Sequence, residues 1–487
     1  MEGKIFDTHV QGLKYKAVRE LIKAYDKNTL ATAYYDIPKL ALPGPNAHLR
    51  CCVYKERAIF QERLNIINKG IDADTKTVVE VIDIACDECP ADGILVTQAC
   101  RGCLSHKCKE VCPRDAIEIV GKRAVINKDK CIECGKCVEA CPYGAILKQQ
   151  RPCVAGCKPQ AITLDKETKK AVISPDKCVS CGACVRQCPF GAVQERSLIM
   201  ETLDILKNSD NGNNYKVYAI IAPSIASQVQ SITLGQLVSG ILALGFAGVV
   251  EAAFGADVCL EHELAEWQHK GLLTTSCCPA FVKFVEKNFP EVAPYISSSF
   301  SPMVETAKTI KKGDPTAKCI FIGPCAAKKM EVKSPKTQGL VDSAISFEEL
   351  QAFFAARNVE VNDLPETILN DATYFGRIFA KSGGITQGLV NFATERGIEG
   401  LNPVSMNGLA ECKINLMKLR AKLKSNKLVE NFFEGMACEG GCINGPLTLH
   451  QSNKNAIAVE KHGKEATTQT IDQALRQYNA GKMDFQN

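Results

Sequence analysis

Thr275-Ser276-Cys277-Cys278-Pro279 is followed at long range by Gly323-Pro324-Cys325-Ala326-Ala327-Lys328 and by Glu434-Gly435-Met436-Ala437-Cys438-Glu439-Gly440-Gly441-Cys442. Three loops so widely separated can bring four thiolates to one iron-sulfur cube. Cys277 is then left over, beside a lysine and a methionine that no cube needs. That surplus points to a site that reacts as well as one that stores electrons. Outward from the loops, Tyr215 to Ala222 and Ala317 to Ile322 read as strands ending at motif loops, and Phe347 to Ala356 reads as a helix between them. The alternation implies an α/β domain whose ligands sit in loops at strand ends.

Upstream, Cys131-x2-Cys134-x2-Cys137-x3-Cys141-Pro142 returns as Cys178-x2-Cys181-x2-Cys184-x3-Cys188-Pro189. This is the bacterial ferredoxin run, in which a tight loop brings three thiolates around one cube and the Cys-Pro turn sends the fourth across to its twin. Applied to these two runs alone, one cluster takes Cys131, Cys134, Cys137 and Cys188, and the other takes Cys178, Cys181, Cys184 and Cys141. Each run has a small-apolar tail, Ala145-Ile146 and Ala192-Val193, and the same tail follows Cys112 and Cys157. There are thus four related units. The first, Cys100-x2-Cys103-x4-Cys108-x3-Cys112-Pro113, is complete, whereas the third, Cys153-x3-Cys157, lacks its opening pair. With four units the exchange of fourth ligands is not unique, and Cys108, Cys112, Cys153 and Cys157 cannot be partitioned from spacing. Three clusters are expected. A fourth needs Cys86 and Cys89 to join Cys153 and Cys157; the alternatives are a cluster-free unit, or a zinc site of Cys86 and Cys89 with Cys100 and Cys103.

The 487 residues should form two to four domains, and 46% hydrophobic with 23% charged residues is ordinary globular composition. Twenty-six cysteines mean disulfides outside the cell and metal ligands within it. The N-terminus has no signal region, so a reducing cytoplasm and metal-bound thiolates are expected. The most apolar stretch, Leu237 to Val250, is too short to span a bilayer and reads as a helix, a turn at Gly245 and a buried strand. No membrane or nucleic-acid partner is expected: the +5 formal charge leaves out anionic clusters, and no basic run is interleaved with aromatics. Residues 1–80 read as a small helical region of unknown role, with apolar helical spacing at Val18, Leu21, Ile22 and Tyr25 and a break from Pro38 to Pro45. Cys51-Cys52 reads as a pair of partly buried thiols, and Cys259, Cys319 and Cys412 as buried ones. No Gly-x-Gly-x-x-Gly loop follows a strand, which speaks against a bound nicotinamide or flavin.

The three catalytic loops resemble the cysteine signatures of the [FeFe]-hydrogenases, in order and at family-like separations, from about residue 130 to about 450. The resemblance implies a two-lobed α/β catalytic domain at 197–487, two β-sheets with flanking helices and the active cluster in the cleft. Before it would stand an α+β ferredoxin-like domain at 81–196 with three to four [4Fe-4S] clusters. It implies that Cys278, Cys325, Cys438 and Cys442 hold a [4Fe-4S] cube, with Cys442 bridging to a diiron unit carrying CO, CN and azadithiolate. Cys277 matches the relay thiol, Lys328 a lysine that binds a cyanide, Met436 a thioether packed on the two-iron unit, and Ala222-Pro223-Ser224 the loop that binds the other cyanide. Glu263, Ser297, Glu266 and Glu331 stand at the separations of the family's proton relay. Lys329 fits a solvated surface lysine. The implied reaction is reversible reduction of protons to H2, with a ferredoxin or similar one-electron carrier and maturation proteins as partners.

The pattern is similar to the less-studied group of monomeric cytoplasmic members from anaerobes. It departs from the best-known members at Gly323, where a methionine is usual, at Phe281, where a tryptophan is common, and at a short Asn444-Gly445-Pro446 tail. These changes should alter bias, potential and oxygen sensitivity. The rival readings are a hydrogen sensor, an iron-sulfur assembly relative, or a polyferredoxin carrier. None of the seven histidines falls in a ligand pattern, against the histidine-bound cluster of larger members.

Overall fold

A computed structural model describes residues 5–480 except 48, 73, 91, 92, 230 and 426. Two parallel sheets carry the C-terminal half. The first has the order Gly248–Glu251, Val217–Ile221, Lys318–Ile322, Ser343–Ile345. Val217–Ile221 is buried along its whole length, as a strand covered by helices on both faces must be. The second has the order Leu273–Thr274, Phe432–Met436, Pro403–Asn407. All three catalytic loops leave the carboxyl ends of these strands, where parallel sheets place their ligands. The stretch Leu237 to Val250 divides as its pattern implies, into helix Leu234–Ala243, a left-handed Gly245 and strand Gly248–Glu251. No helix among the described residues is long and apolar enough to cross a membrane.

Proline starts the helices behind the loops. Pro279 and Pro302 occupy first-turn positions of Pro279–Asn288 and Pro302–Gly313, where a missing N–H costs nothing. The residue before Pro279 is Cys278, held extended as the N-cap.

The upstream cysteines sit among paired short strands and one-turn helices. Gly93–Val96 pairs with Ile146–Gln149, Ile117–Val120 with Arg123–Ile126, Ile162–Leu164 with Ala171–Ile173, and Val79–Val81 with Val193–Glu195, all antiparallel. At the N-terminus, helix His9–Asp26 has a capping box from Thr8 and packs on helix Phe347–Ala356 of the C-terminal half. Lys14 joins three regions there, 2.9 Å from Glu195 and in contact with Glu348, with all three side chains buried. Cys51 and Cys52 are exposed rather than partly buried: Cys52 caps helix Val53–Lys69, its sulfur accepting from the Lys55 N–H.

Candidate active site

Four loops close around one cavity of about 80 Å³, room for a group of several non-hydrogen atoms. Cys277, Cys278, Cys325, Cys442, Lys328, Met436 and the Ala222-Pro223-Ser224 loop all line it. Cys438 is half-buried and within electrostatic range of Cys325, Cys278 and Cys442. Backbone hydrogen bonds stitch the loops together. The Leu447 N–H donates to the Pro324 carbonyl, and the Ser382 N–H to the Gly440 carbonyl. Lys328 reaches across the cleft to the Cys277 carbonyl at 3.1 Å and pairs with Glu331 at 2.6 Å. Burial opposes its charge, but Glu331 outweighs it and holds the ammonium above its ordinary pKa.

The walls are Pro223, Pro279, Pro302, Pro324, Phe321, Phe379, Met303 and Met436, which keep water out. Phe321 explains the glycine at 323: a Cβ there would sit 2.4 Å from the Phe321 ring, which already fills that space. Phe281 is fully buried. Sequence reasoning missed Ala252 and Ala256, which turn a small-residue face of helix Ala252–Lys270 toward the cavity. Their i, i+4 spacing was the available signal.

Three features fit an iron-sulfur cube with an attached group. Burial pushes the Cys325 and Cys442 thiols up to about 11 and about 12, so these thiols stay protonated unless a metal compensates their charge. Cys278 stands at the N-terminus of a ten-residue helix, which favours an anionic cluster. Ser224 Oγ lines the cavity, fully buried and without a hydrogen-bond partner, so it can donate to a ligand bound there.

Glu263 and Glu266 share one helix, but their surroundings differ. Glu263 is buried, its Oε2 unpartnered, in range of Cys277. Burial pushes its carboxyl up to about 8, partly offset by the Ser276 N–H. Glu266 accepts from Ser297 Oγ at 2.9 Å and the Ser298 N–H at 2.8 Å, and pairs with Lys270 at 2.7 Å. Burial opposes ionisation there, but Lys270 and these donors hold its pKa below the ordinary value. Burial also pushes the Cys277 thiol far up, with Glu263 adding to the effect. The expectation for Lys329 is corrected: it is buried and pairs with Glu349 at 2.8 Å, because the helix Ala326–Val332 turns it into the core.

The ferredoxin runs group differently from the two-run expectation. Cys100, Cys103 and Cys108 share a cavity with Cys141, and Cys131, Cys134 and Cys137 share one with Cys112. Cys181, Cys178 and Cys157, and after them Cys153, act electrostatically on the Cys184 thiol, and Cys188, Cys86 and Cys89 act on Cys153. The thiols are thus grouped within each pair of units, Cys141 with the run at 100 and Cys112 with the run at 131, and not between the runs at 131 and 178. The zinc grouping fails as well, since Cys100 and Cys103 face Cys141. The Cys181 loop abuts the catalytic loops: Cys181 and Cys438 line one cleft, and a Cβ at Gly182 would meet Ala326 at 2.8 Å and Pro446 at 2.9 Å. Only glycine allows that approach, at φ 77°.

A string of four-cysteine sites ending at a buried, water-excluding cavity with an extra thiol is the architecture of an iron-sulfur redox enzyme. The family described as "iron only hydrogenase large subunit, C-terminal domain" matches residues 215–446, a 4Fe-4S binding domain matches 124–147, and a 4Fe-4S dicluster domain matches 151–192. Over residues 215–446 the chain is similar to the iron-only hydrogenases, and over 124–192 to 4Fe-4S ferredoxin domains. It is 25% identical over 414 residues to iron hydrogenase 1 of Clostridium pasteurianum, covering 72% of this chain and 70% of that one. It is 29% identical over 377 residues to the periplasmic [Fe] hydrogenase large subunit of Nitratidesulfovibrio vulgaris, covering 66% and 85%. A variant of the [FeFe]-hydrogenase HydA1 from Chlamydomonas reinhardtii aligns with 20% identity, a TM-score of 0.46, and coverage of 58% and 94%.

Proposed function

We propose that the chain catalyses the reversible conversion of two protons and two electrons to H2, where Cys278, Cys325, Cys438 and Cys442 would hold a [4Fe-4S] cube and Cys442 would also hold a diiron unit. When bound, that unit, with its CO, CN and azadithiolate ligands, supplies the exchange of electron pairs between protons and H2. The observation that carries the reading is the single cavity shared by the surplus thiol, three of the four cube thiols and the unpartnered Ser224 hydroxyl.

The chain's own residues have separable tasks. Ser224 and Lys328 donate to anionic ligands in the cavity they both line, and Met436 and Phe321 pack the group and exclude solvent. Cys277 keeps its proton at neutral pH because it is buried, and passes it to or from Glu263, whose carboxyl is poised near 8. Glu266 and Ser297 continue the route toward the surface, the Glu266 side chain being 13% exposed. Glu331 acts as the counter-ion that fixes Lys328. Electrons arrive through the four-cysteine sites, the Cys181 loop being the last before the cube, from a ferredoxin or similar soluble carrier. Maturation proteins insert the diiron unit, and the division of labour follows 1–80, 81–196 and 197–487. Thiolates kept on metal suit a cytoplasmic setting.

Infrared spectroscopy of anaerobically matured protein tests the reading. Terminal carbonyl and cyanide stretches together with H2 turnover are expected. Their absence from protein carrying its full complement of cubes overturns it.

A further inference from the structure

The outer and inner ferredoxin units repeat each other element by element. Strand Gly93–Val96 pairs with Ile146–Gln149 as Val79–Val81 pairs with Val193–Glu195, and hairpin Ile117–Val120 with Arg123–Ile126 matches Ile162–Leu164 with Ala171–Ile173. The one-turn helices that carry Cys108 and Cys137 pack together, as do those that carry Cys153 and Cys184.

The sulfur contacts repeat as well. The Ala116 and Ala145 N–H groups donate to Cys112 and Cys141 at 3.3 Å, and Ala161 and Ala192 donate to Cys157 and Cys188 at 3.2 Å. Ala124 donates to Cys100 at 3.4 Å, and Ala171 donates to Cys86 at 3.4 Å. The last pair is decisive. Cys86 occupies in the outer unit the place that Cys100 occupies in the inner one, although the two pairs lie side by side in the chain and Cys86 is remote in sequence from Cys153.

We propose that Cys86, Cys89, Cys153 and Cys188 bind a fourth accessory [4Fe-4S] cluster, and that the two dicluster units are nested, 93–149 being inserted between the second and third ligands of the outer unit. In the inner unit Cys100, Cys103 and Cys108 are completed by Cys141, so by the same correspondence Cys86, Cys89 and Cys153 are completed by Cys188. The thiol neighbourhood agrees, since Cys188, Cys86 and Cys89 all lie within electrostatic range of Cys153. The inner unit closes a small core of its own around Ile94, Ile117 and Ile146, whereas Cys86, Cys153 and Cys188 belong to the core shared with the catalytic half. An insertion with its own core can be accommodated in a loop without disturbing its host.

Arg151, 4% exposed, stands where the chain re-enters the outer unit. Its guanidinium donates to Cys86 Sγ at 3.3 Å, to the Cys89 carbonyl at 3.0 Å and to the Pro90 carbonyl at 3.1 Å. It both shapes the loop and puts a cation against one cluster ligand, which favours the reduced, more negative cluster.

The inference rests on the cluster reading of these thiols but not on the diiron unit or on turnover, so it is tested on full-length chain made without that unit and reconstituted anaerobically with iron and sulfide. Five cubes give about 20 irons per chain and four give about 16. Cys86→Ala and Cys153→Ala should each lower iron and labile sulfide by about four and remove one spin from the paramagnetic resonance spectrum of the reduced protein. Cys86→Ala with Cys188→Ala should lose no more than either alone, whereas Cys86→Ala with Cys157→Ala should lose about eight irons. Unchanged iron in the single variants, or a loss of about eight in the Cys86–Cys188 pair, overturns the proposal. Should the cysteine variants precipitate, Arg151→Gln decides. Full iron with one cluster shifted to lower potential supports the assignment, and unmoved potentials in every cluster overturn it.

Discussion

Glu263→Gln separates a functional carboxyl from a structural one, because it should make the protein more stable while stopping it working. Glu263 is 1% exposed, its Oε2 has no partner, and burial lifts its pKa from 4.5 to about 8. A carboxyl raised in this way contributes stability that is fully present below pH 4.5 and is lost as the pH rises through about 8. Each pH unit in that window costs about 1.4 kcal/mol, so at pH 7 the native state has forgone about 3 kcal/mol relative to a neutral isostere, and about 5 kcal/mol above pH 8. Glutamine keeps the shape and can still accept from the Ser276 N–H, but it carries no proton onward. The variant should therefore unfold at higher urea concentration than the parent at pH 7, with a gap that widens toward pH 8 and closes toward pH 4.5. Its H2 turnover should fall by about 10²–10⁴-fold. In the parent, the infrared carbonyl band of a protonated carboxylic acid should persist through pH 7 and fade near pH 8, and it should be missing from the variant. A band already gone by about pH 6, or near-normal turnover in Glu263→Gln, refutes the reasoning.

Cys277→Ala should keep the iron of every cube, because its sulfur is surplus to the four ligands, yet lose at least about 10²-fold in turnover; iron analysis beside an H2 assay checks both halves. Lys14→Met should strand the buried Glu195 and Glu348 carboxylates, since burial opposes the Lys14 charge but these two glutamates hold its pKa above the ordinary value. Removing one partner of a buried ion pair costs about 3–5 kcal/mol, so the chain should unfold at lower urea and its N-terminal helix should be clipped sooner in limited proteolysis; an unchanged midpoint contradicts the clamp.

The catalytic loops were legible in the chain because their chemistry is local: Cys278 before Pro279 and Cys325 after Pro324 announce a strand end, a thiol and a helix start within a few residues. The strands Val217–Ile221 and Lys318–Ile322 and the helix Phe347–Ala356 were legible for the same reason, as runs of one period bounded by turns. Partners set by tertiary packing were not. Lys329 reads as a surface lysine beside Lys328, and only the packing of helix Phe347–Ala356 under it reveals Glu349 as its counter-ion. The exposed Cys51-Cys52 pair fails in the opposite sense, because two adjacent thiols carry no period that tells cap from core. Ligand exchange failed for a topological reason: the Cys-Pro turn says that the fourth thiolate crosses to a twin, but it does not say which of several twins lies across. The strand pairs decide this, since Val193–Glu195 returns to Val79–Val81 around everything between, and so brings Cys188 back toward Cys86 while Cys141 stays with Cys100. A spacing rule counts along the chain, and an inserted unit changes that count without changing the distance between the residues it separates.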